Sequence, residues 1–302
     1  MNIIEINHLT KSYGRSRGID DLTLRVQQGD IFGFIGPNGA GKSTTIRILL
    51  NLIFPTSGNA AIFELDVVLD SKKIRSRTGY VPSDASMYDR MKVVEFLKFG
   101  AAFYGAETNV SRINYLLDLF DLDPTRKIPE LSMGNKKKVS IIQALIHKPE
   151  LLILDEPLVG LDPHGRQELK DIILDQKSRG TSVFFCSHIL SDAEKICDRI
   201  GILCESRLLC SGRLDELLSE TGSKLHVNPG HDDIAKEMLS AATETIKRPD
   251  GGWELSFLKE EETTQALLAT KAKYGDAVTI TSFRESLEDF FFRKIENATK
   301  SS

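Results

Sequence analysis

The run Gly36-Pro37-Asn38-Gly39-Ala40-Gly41-Lys42-Ser43 follows the apolar segment Ile31–Ile35 and precedes Ile46, Leu49, Leu50 and Ile53 at helical spacing. It fits GxxxxGK[ST], a pattern whose chemistry requires a buried strand, a glycine-rich turn and a helix start in that order. Glycines let the backbone bend until successive amides point at phosphate oxygens, and the helix N-terminus adds a partial positive charge. The pattern therefore places residues Gly36 to Ser43, with the adjoining Thr44, around the phosphates of a nucleotide. Lys42 is set to reach the β and γ phosphates and Ser43 to ligate Mg²⁺.

Further short apolar runs at 151–154, 183–186 and 200–203 alternate with helical periodicity, which predicts an α/β domain built on a largely parallel sheet. The run at 151–154 ends in Asp155-Glu156, where a parallel sheet presents its ligands. A strand ending in Asp-Glu is as often a helix cap as a site, but beside a phosphate loop the carboxylates gain specific roles. Asp155 is placed to hold Mg²⁺, directly or through water, and Glu156 to polarise an attacking water. Between 86 and 130, stripes through Val94, Leu97, Ala101 and Tyr104 and through Ile113, Leu116, Leu117 and Phe120 carry no strand signal and predict a helical insert.

A break at 221–223 predicts a second domain over 220–302, after a first over 1–219. Its pattern reads as a strand at 224–227, a helix at 232–240, strands at 245–248 and 253–258, a helix at 260–274 and a strand through Val278 and Ile280. This βαββαβ order is the ferredoxin-like arrangement. Residues 286–295 predict a capped helix with Leu287, Phe290 and Phe291 on one face.

The chain has 39 Lys plus Arg against 43 Asp plus Glu, and its net charge of -4 excludes a broad electrostatic grip on nucleic acid or anionic lipid. Lys136, Lys137 and Lys138 read as a solvated helix face. The cysteines Cys186, Cys197, Cys204 and Cys210 lack CxxC spacing and read as core and surface thiols of a cytosolic protein. No run approaches the roughly 20 apolar residues that a membrane-spanning helix needs, so any membrane role is expected to be peripheral.

Leu131-Ser132-Met133-Gly134-Asn135 offers a second amide-rich helix start, upstream of the Asp155-Glu156 strand. Its position makes a resemblance specific: LSMGNKKKVSIIQALIHKPELLILDEPLVGLDP resembles the signature, Walker B and D-loop segment of ABC ATPases, and the likeness covers roughly residues 1 to 218. That resemblance implies a P-loop NTPase core with a helical subdomain at about 86–145, with ATP and Mg²⁺ as ligands. It further implies that Tyr13 stacks on adenine, His188 contacts the γ phosphate and Asp162 is the D-loop aspartate. By themselves these three would read as a core or surface tyrosine, a structural histidine and a turn former or cap. Two positions depart from the family pattern. Ser83-Asp84 stands where many members carry the Q-loop glutamine, so either residue substitutes for it or the segment is an ordinary turn. The signature reads LSMGN where LSGGQ is commonest, with Ser132 and Gly134 kept.

The resemblance also implies a second ABC ATPase domain, as homodimer or heterodimer, in which the signature of one completes the site containing Lys42 of the other. The single ATPase domain, the small C-terminal domain and the Ser286-Leu287-Glu288-Asp289-Phe290-Phe291 tail resemble the ATPase subunits of bacterial ABC-2-type exporters of drugs and antibiotics. The expectation is an ATPase that energises efflux through a separately encoded permease, peripheral on the inner face of the cell membrane, with no nucleic-acid partner. The alternative is a soluble ABC-type ATPase acting as a regulator or translation-associated factor.

Overall fold

Every residue of Ile31–Ile35 is buried, the condition of a strand with parallel neighbours and both faces covered. The computed structural model describes residues 1–14, 16–84, 87, 90–104, 110–218, 221–242, 244–257 and 261–300. They form two units, Met1–Arg213 and Leu214–Lys300. The division thus falls after Arg213, ahead of the expected boundary; residues 219 and 220 lie outside the described residues.

The first unit begins with β1 (Asn2–Tyr13), β2 (Ser16–Gln27), β3 (Ile31–Ile35), α1 (Lys42–Leu49), β4 (Ser57–Ile62), β5 (Leu65–Asp66), α2 (Ser71–Arg77) and β6 (Thr78–Val81). Helices α3 (Val93–Ala102), α4 (Val110–Leu119) and α5 (Met133–Leu145) follow. Helices α3 and α4 lie within the insert expected at 86–130, and α5 lies beyond it, inside the helical subdomain expected at about 86–145; residues 86, 88, 89 and 105–109 lie outside the described residues. The unit ends with β7 (Leu151–Asp155), α6 (Pro163–Ser178), β8 (Ser182–Ser187), α7 (Leu190–Ile196), β9 (Arg199–Cys204) and β10 (Arg207–Arg213).

A six-stranded sheet runs in the order β10-β9-β3-β8-β7-β6, parallel throughout except for the antiparallel edge strand β10. A four-stranded antiparallel sheet, β2-β1-β4-β5, shares a core with it. That core joins Ile4, Ile6, Leu22 and Leu24 to Phe32, Phe34, Ile46 and Phe184. Phe32 and Phe184 stack with ring centres 5.8 Å apart, the offset spacing aromatic quadrupoles favour. The parallel order places the C-terminal ends of β3, β7 and β8 side by side, and these carry the phosphate loop, Glu156 and His188 respectively.

The lysine run of α5 departs from expectation: none of Lys136, Lys137 and Lys138 is exposed. Contacts with β6, α3 and α4 enclose the helix. Lys138 is paired with Glu168 at 2.8 Å, and Lys137 is only 4% exposed. Cys186 and Cys197 are core thiols, while Cys204 and Cys210 are half-buried.

The second unit comprises α8 (Leu214–Leu217), β11 (Thr221–Val227), α9 (Asp232–Met238), β12 (Glu244–Lys247), β13 (Trp253–Phe257), α10 (Glu261–Tyr274), β14 (Val278–Arg284) and α11 (Leu287–Lys300). Residues 258 and 260, expected at element ends, lie outside the described residues. The sheet order β12-β13-β11-β14, antiparallel at every neighbour, is that of a ferredoxin-like fold. Leu225, Val227, Leu255 and Phe257 from the strands and Ile234, Ala235 and Leu267 from the helices make its core. The Ser286 hydroxyl accepts from the Asp289 amide at 3.1 Å and caps α11, on which Leu287, Phe290 and Phe291 are buried.

Candidate functional site

The phosphate loop is shaped by two glycines that nothing larger can replace. A Cβ on Gly36 would lie 2.1 Å from the Leu203 carbonyl oxygen, and one on Gly41 would lie 2.3 Å from that of Gly18. Gly41 also has φ 111°, a region that disfavours residues with a side chain. As N-cap of α1 it supplies no capping side chain, and no acidic residue sits in the first turn. The first amides of α1 are therefore not claimed by a side chain at the cap, an arrangement that fits a bound anion.

Lys42 is 6% exposed. Its ammonium donates to the Gly36 carbonyl at 2.7 Å and the Pro37 carbonyl at 3.3 Å, and lies 3.3 Å from Glu156 Oε1. Glu156 Oε2 is 2.9 Å from His188 Nδ1 and 3.4 Å from its backbone amide. Glu156 thus sits between a cation and an imidazole. Its backbone is left-handed, φ 49°, and its amide donates to the Cys186 carbonyl at 3.0 Å. This conformation costs a non-glycine residue on the order of 1–3 kcal/mol, and it turns the side chain away from the strand line of β7 toward the loop.

Asp155 ends β7 and is buried. Burial pushes its carboxyl above the usual carboxylate range, opposed by a hydrogen bond with Ser43, while the Glu156 charge adds to the rise. Its Oδ1 is buried without a hydrogen-bond partner. A hydroxyl and an orphaned carboxylate oxygen meeting beside a phosphate loop form the hard oxygen donor set that suits Mg²⁺.

A cavity of about 400 Å³ brings together Tyr13, Asn38, Gly39, Gly41, Lys42, Ser43, Thr44, Ser83 and Glu156. Tyr13 is 48% exposed at the cavity edge, with the Lys11 ammonium 5.3 Å from its ring centre. Of the two residues at the Q-loop position, Ser83 lines this cavity and Asp84 is not among its lining residues.

The signature occupies a different cavity, of about 450 Å³, in which Ser132, Met133, Gly134 and Asn135 lie with Gly160 and Asp162. Ser132 is the N-cap of α5, its hydroxyl accepting from the Asn135 amide at 3.3 Å, and Leu131 beside it is buried. Asp162 caps α6 in the same way, accepting from the Gly165 amide at 2.8 Å. Among the residues lining these two cavities, none is shared.

Sequence reasoning missed Lys137, whose ammonium donates to the carbonyls of Pro82 at 2.9 Å and Ser83 at 3.0 Å. A signal was there: counting back four from the buried Ile141 places residue 137 on the inward stripe that continues through Ala144 and Leu145.

Residues 19–159 match the family model described as ABC transporter. An uncharacterized ABC transporter ATP-binding protein of Nostoc sp. is 38% identical to this chain, covering 91% of it and 82% of that relative. The bacitracin transport ATP-binding protein BcrA of Bacillus licheniformis is 35% identical, with 98% of each chain covered. A solved ATP binding subunit of an ABC transporter superposes with TM-score 0.66 at 31% identity, over 72% of this chain and 92% of that one. The dimeric bacterial ABC transporter cassette MJ0796, 22% identical, shares the fold with TM-score 0.65 over 70% of this chain and 98% of its own. With a phosphate loop, an Asp-Glu strand end and a signature helix all placed on that fold, the chain belongs to the family of ABC transporter ATP-binding proteins.

Proposed function

We propose that this chain binds and hydrolyses ATP as one half of a head-to-tail pair of ATPase domains, and that the cycle drives export through a separately encoded membrane permease. The convergence of Lys42, Ser43, Asp155 and Glu156 on one side of the phosphate loop carries the hydrolytic part. Ser43 and Asp155 would hold Mg²⁺, which would supply positive charge against the β and γ phosphates. Tyr13 offers an aromatic face to the adenine. Lys42 turns from the loop carbonyls and Glu156 toward the phosphates, and this releases Glu156 to accept a hydrogen bond from the attacking water. His188 holds the other carboxylate oxygen of Glu156, and the family resemblance assigns it a contact with the γ phosphate. The separation of the two cavities supports the paired arrangement, since a signature that does not line its own chain's nucleotide pocket is available to a partner's.

A groove of about 310 Å³ supports the docking of a permease to this unit. Leu50, Leu52, Tyr80, Met87, Tyr104 and Gln143 line it. Leu52 (57% exposed), Phe54 (63%) and Phe103 (75%) are apolar side chains this unit leaves in solvent, and Leu52 is also in the groove lining. Such an assembly sits on the cytoplasmic face of the membrane; none of the described helices is long and apolar enough to cross one. The relative named for bacitracin transport favours drug or antibiotic efflux as the work done.

Phe103→Asp is expected to lower recovery of the permease from detergent-solubilised membranes by roughly tenfold, as for a well-buried interface anchor, with ATP binding intact. Undiminished recovery by this variant and by Phe99→Asp would remove α3 from the interface. Ser83→Gln is expected to keep or raise the rate of phosphate release, because residue 83 lines the nucleotide cavity. A steep loss in a folded variant would give the Ser83 hydroxyl a role of its own.

A further inference from the structure

Burying an ammonium group is costly unless it is paired and hydrogen-bonded, and Lys137 is an ammonium at 4% exposure that none of the roles above uses. It lies in the first half of α5, the helix whose N-cap is the signature Ser132. Its two hydrogen bonds, to the Pro82 and Ser83 carbonyls, end on the segment that follows β6. That segment is held beside the catalytic strand, because β6 pairs with β7 in parallel up to Val81 opposite Leu154. Ser83 then lines the cavity shared by Lys42, Ser43 and Glu156.

We propose that Lys137 is a positioning residue: its ammonium ties the Ser83 segment of the nucleotide cavity to the helix that carries the signature, so that the two move as one piece during hydrolysis. The tie runs through backbone carbonyls and is indifferent to the side chain at position 83. Serine can therefore stand where the family glutamine is commonest. Burial pushes the Lys137 ammonium down from its ordinary value, and the charges of Asp155, Asp84 and Glu156 oppose that shift. With the signature engaged on a partner's nucleotide, one chain's pocket and its partner's pocket are mechanically linked through α5.

The rate part of this inference rests on the hydrolytic reading given above, and two measurements on the full chain keep the two separate. In steady-state phosphate release, Lys137→Met is expected to lower kcat by roughly tenfold or more, the scale of a lost charge-assisted hydrogen-bond pair. Its KM for ATP should stay within about threefold of wild type, because no phosphate contact is touched. Lys137→Arg, which can still donate to both carbonyls, should recover most of the rate. Amide hydrogen exchange of residues 79–84 reads the tie without turnover. Exchange should quicken in Lys137→Met, return toward wild type in Lys137→Arg, and stay unchanged at residues 31–50 in both. The proposal is overturned if kcat in Lys137→Met stays near wild type. It is equally overturned if exchange at 79–84 does not change, if arginine rescues neither quantity, or if the methionine variant simply loses stability and ATP affinity together. A wild-type chain without ATPase activity would sink the hydrolytic reading, and the exchange result would still decide the tie.

Discussion

Lys42→Ala is expected to abolish tight ATP binding. In the structure the Lys42 ammonium is satisfied by two loop carbonyls and faces Glu156 at 3.3 Å, and the β and γ phosphates offer it stronger, charge-assisted partners. Losing hydrogen bonds of that kind costs about 1.5–3 kcal/mol each, so the dissociation constant should rise by about 100-fold or more when two are lost. The same substitution leaves the Gly36 and Pro37 carbonyls without this donor, at a cost of about 1–3 kcal/mol in folding stability. That is smaller than the total stability of about 5–15 kcal/mol usual for a domain, so the variant should fold and the loss should be one of binding. Titration calorimetry with ATP, alongside a thermal melt, separates the two effects. A folded variant that binds ATP within a fewfold of wild type would remove Lys42 from the phosphate site.

Local chain order made much of this arrangement readable in advance. The phosphate loop, the Asp155-Glu156 strand end and the βαββαβ order of the C-terminal unit each follow from short-range pattern, because strand, turn and helix are contiguous in all of them. What could not be read came from irregular backbone or from distant parts of the chain meeting. The antiparallel sheet containing β1 was one such feature: its register with β2 shifts between Ile6 and Leu9 and again beyond, and His8 has φ 48°. Those irregularities erase the two-residue alternation by which a strand is recognised. Lys137 was another, since a lysine among lysines reads as solvated until β6, α3 and α4 close around its helix. The left-handed backbone of Glu156 left no trace in composition, although it aims the carboxylate.

Glu156→Gln is expected to stop turnover and leave ATP binding intact or tighter. Glutamine keeps the size of the side chain and can still accept a hydrogen bond from His188, which lies 2.9 Å from Glu156 Oε2. It lacks the negative charge that polarises the attacking water, a contribution of about 100- to 10,000-fold in rate for a positioned general base. Two further effects act on binding, and both have the same sign. Lys42 no longer has an anion at 3.3 Å to leave when it turns to the phosphates. Asp155, whose carboxyl is held up first by burial and then in part by the Glu156 charge, becomes easier to ionise beside Ser43 and so a better ligand for Mg²⁺. The glutamine variant should therefore accumulate with ATP bound. If a partner's signature closes each pocket, it should also elute as a dimer in the presence of ATP and as a smaller species without it. Phosphate release in a single turnover, nucleotide binding and sizing chromatography together test the assignment. Turnover at the wild-type rate would show that the water is oriented by another group, with His188 the nearest candidate.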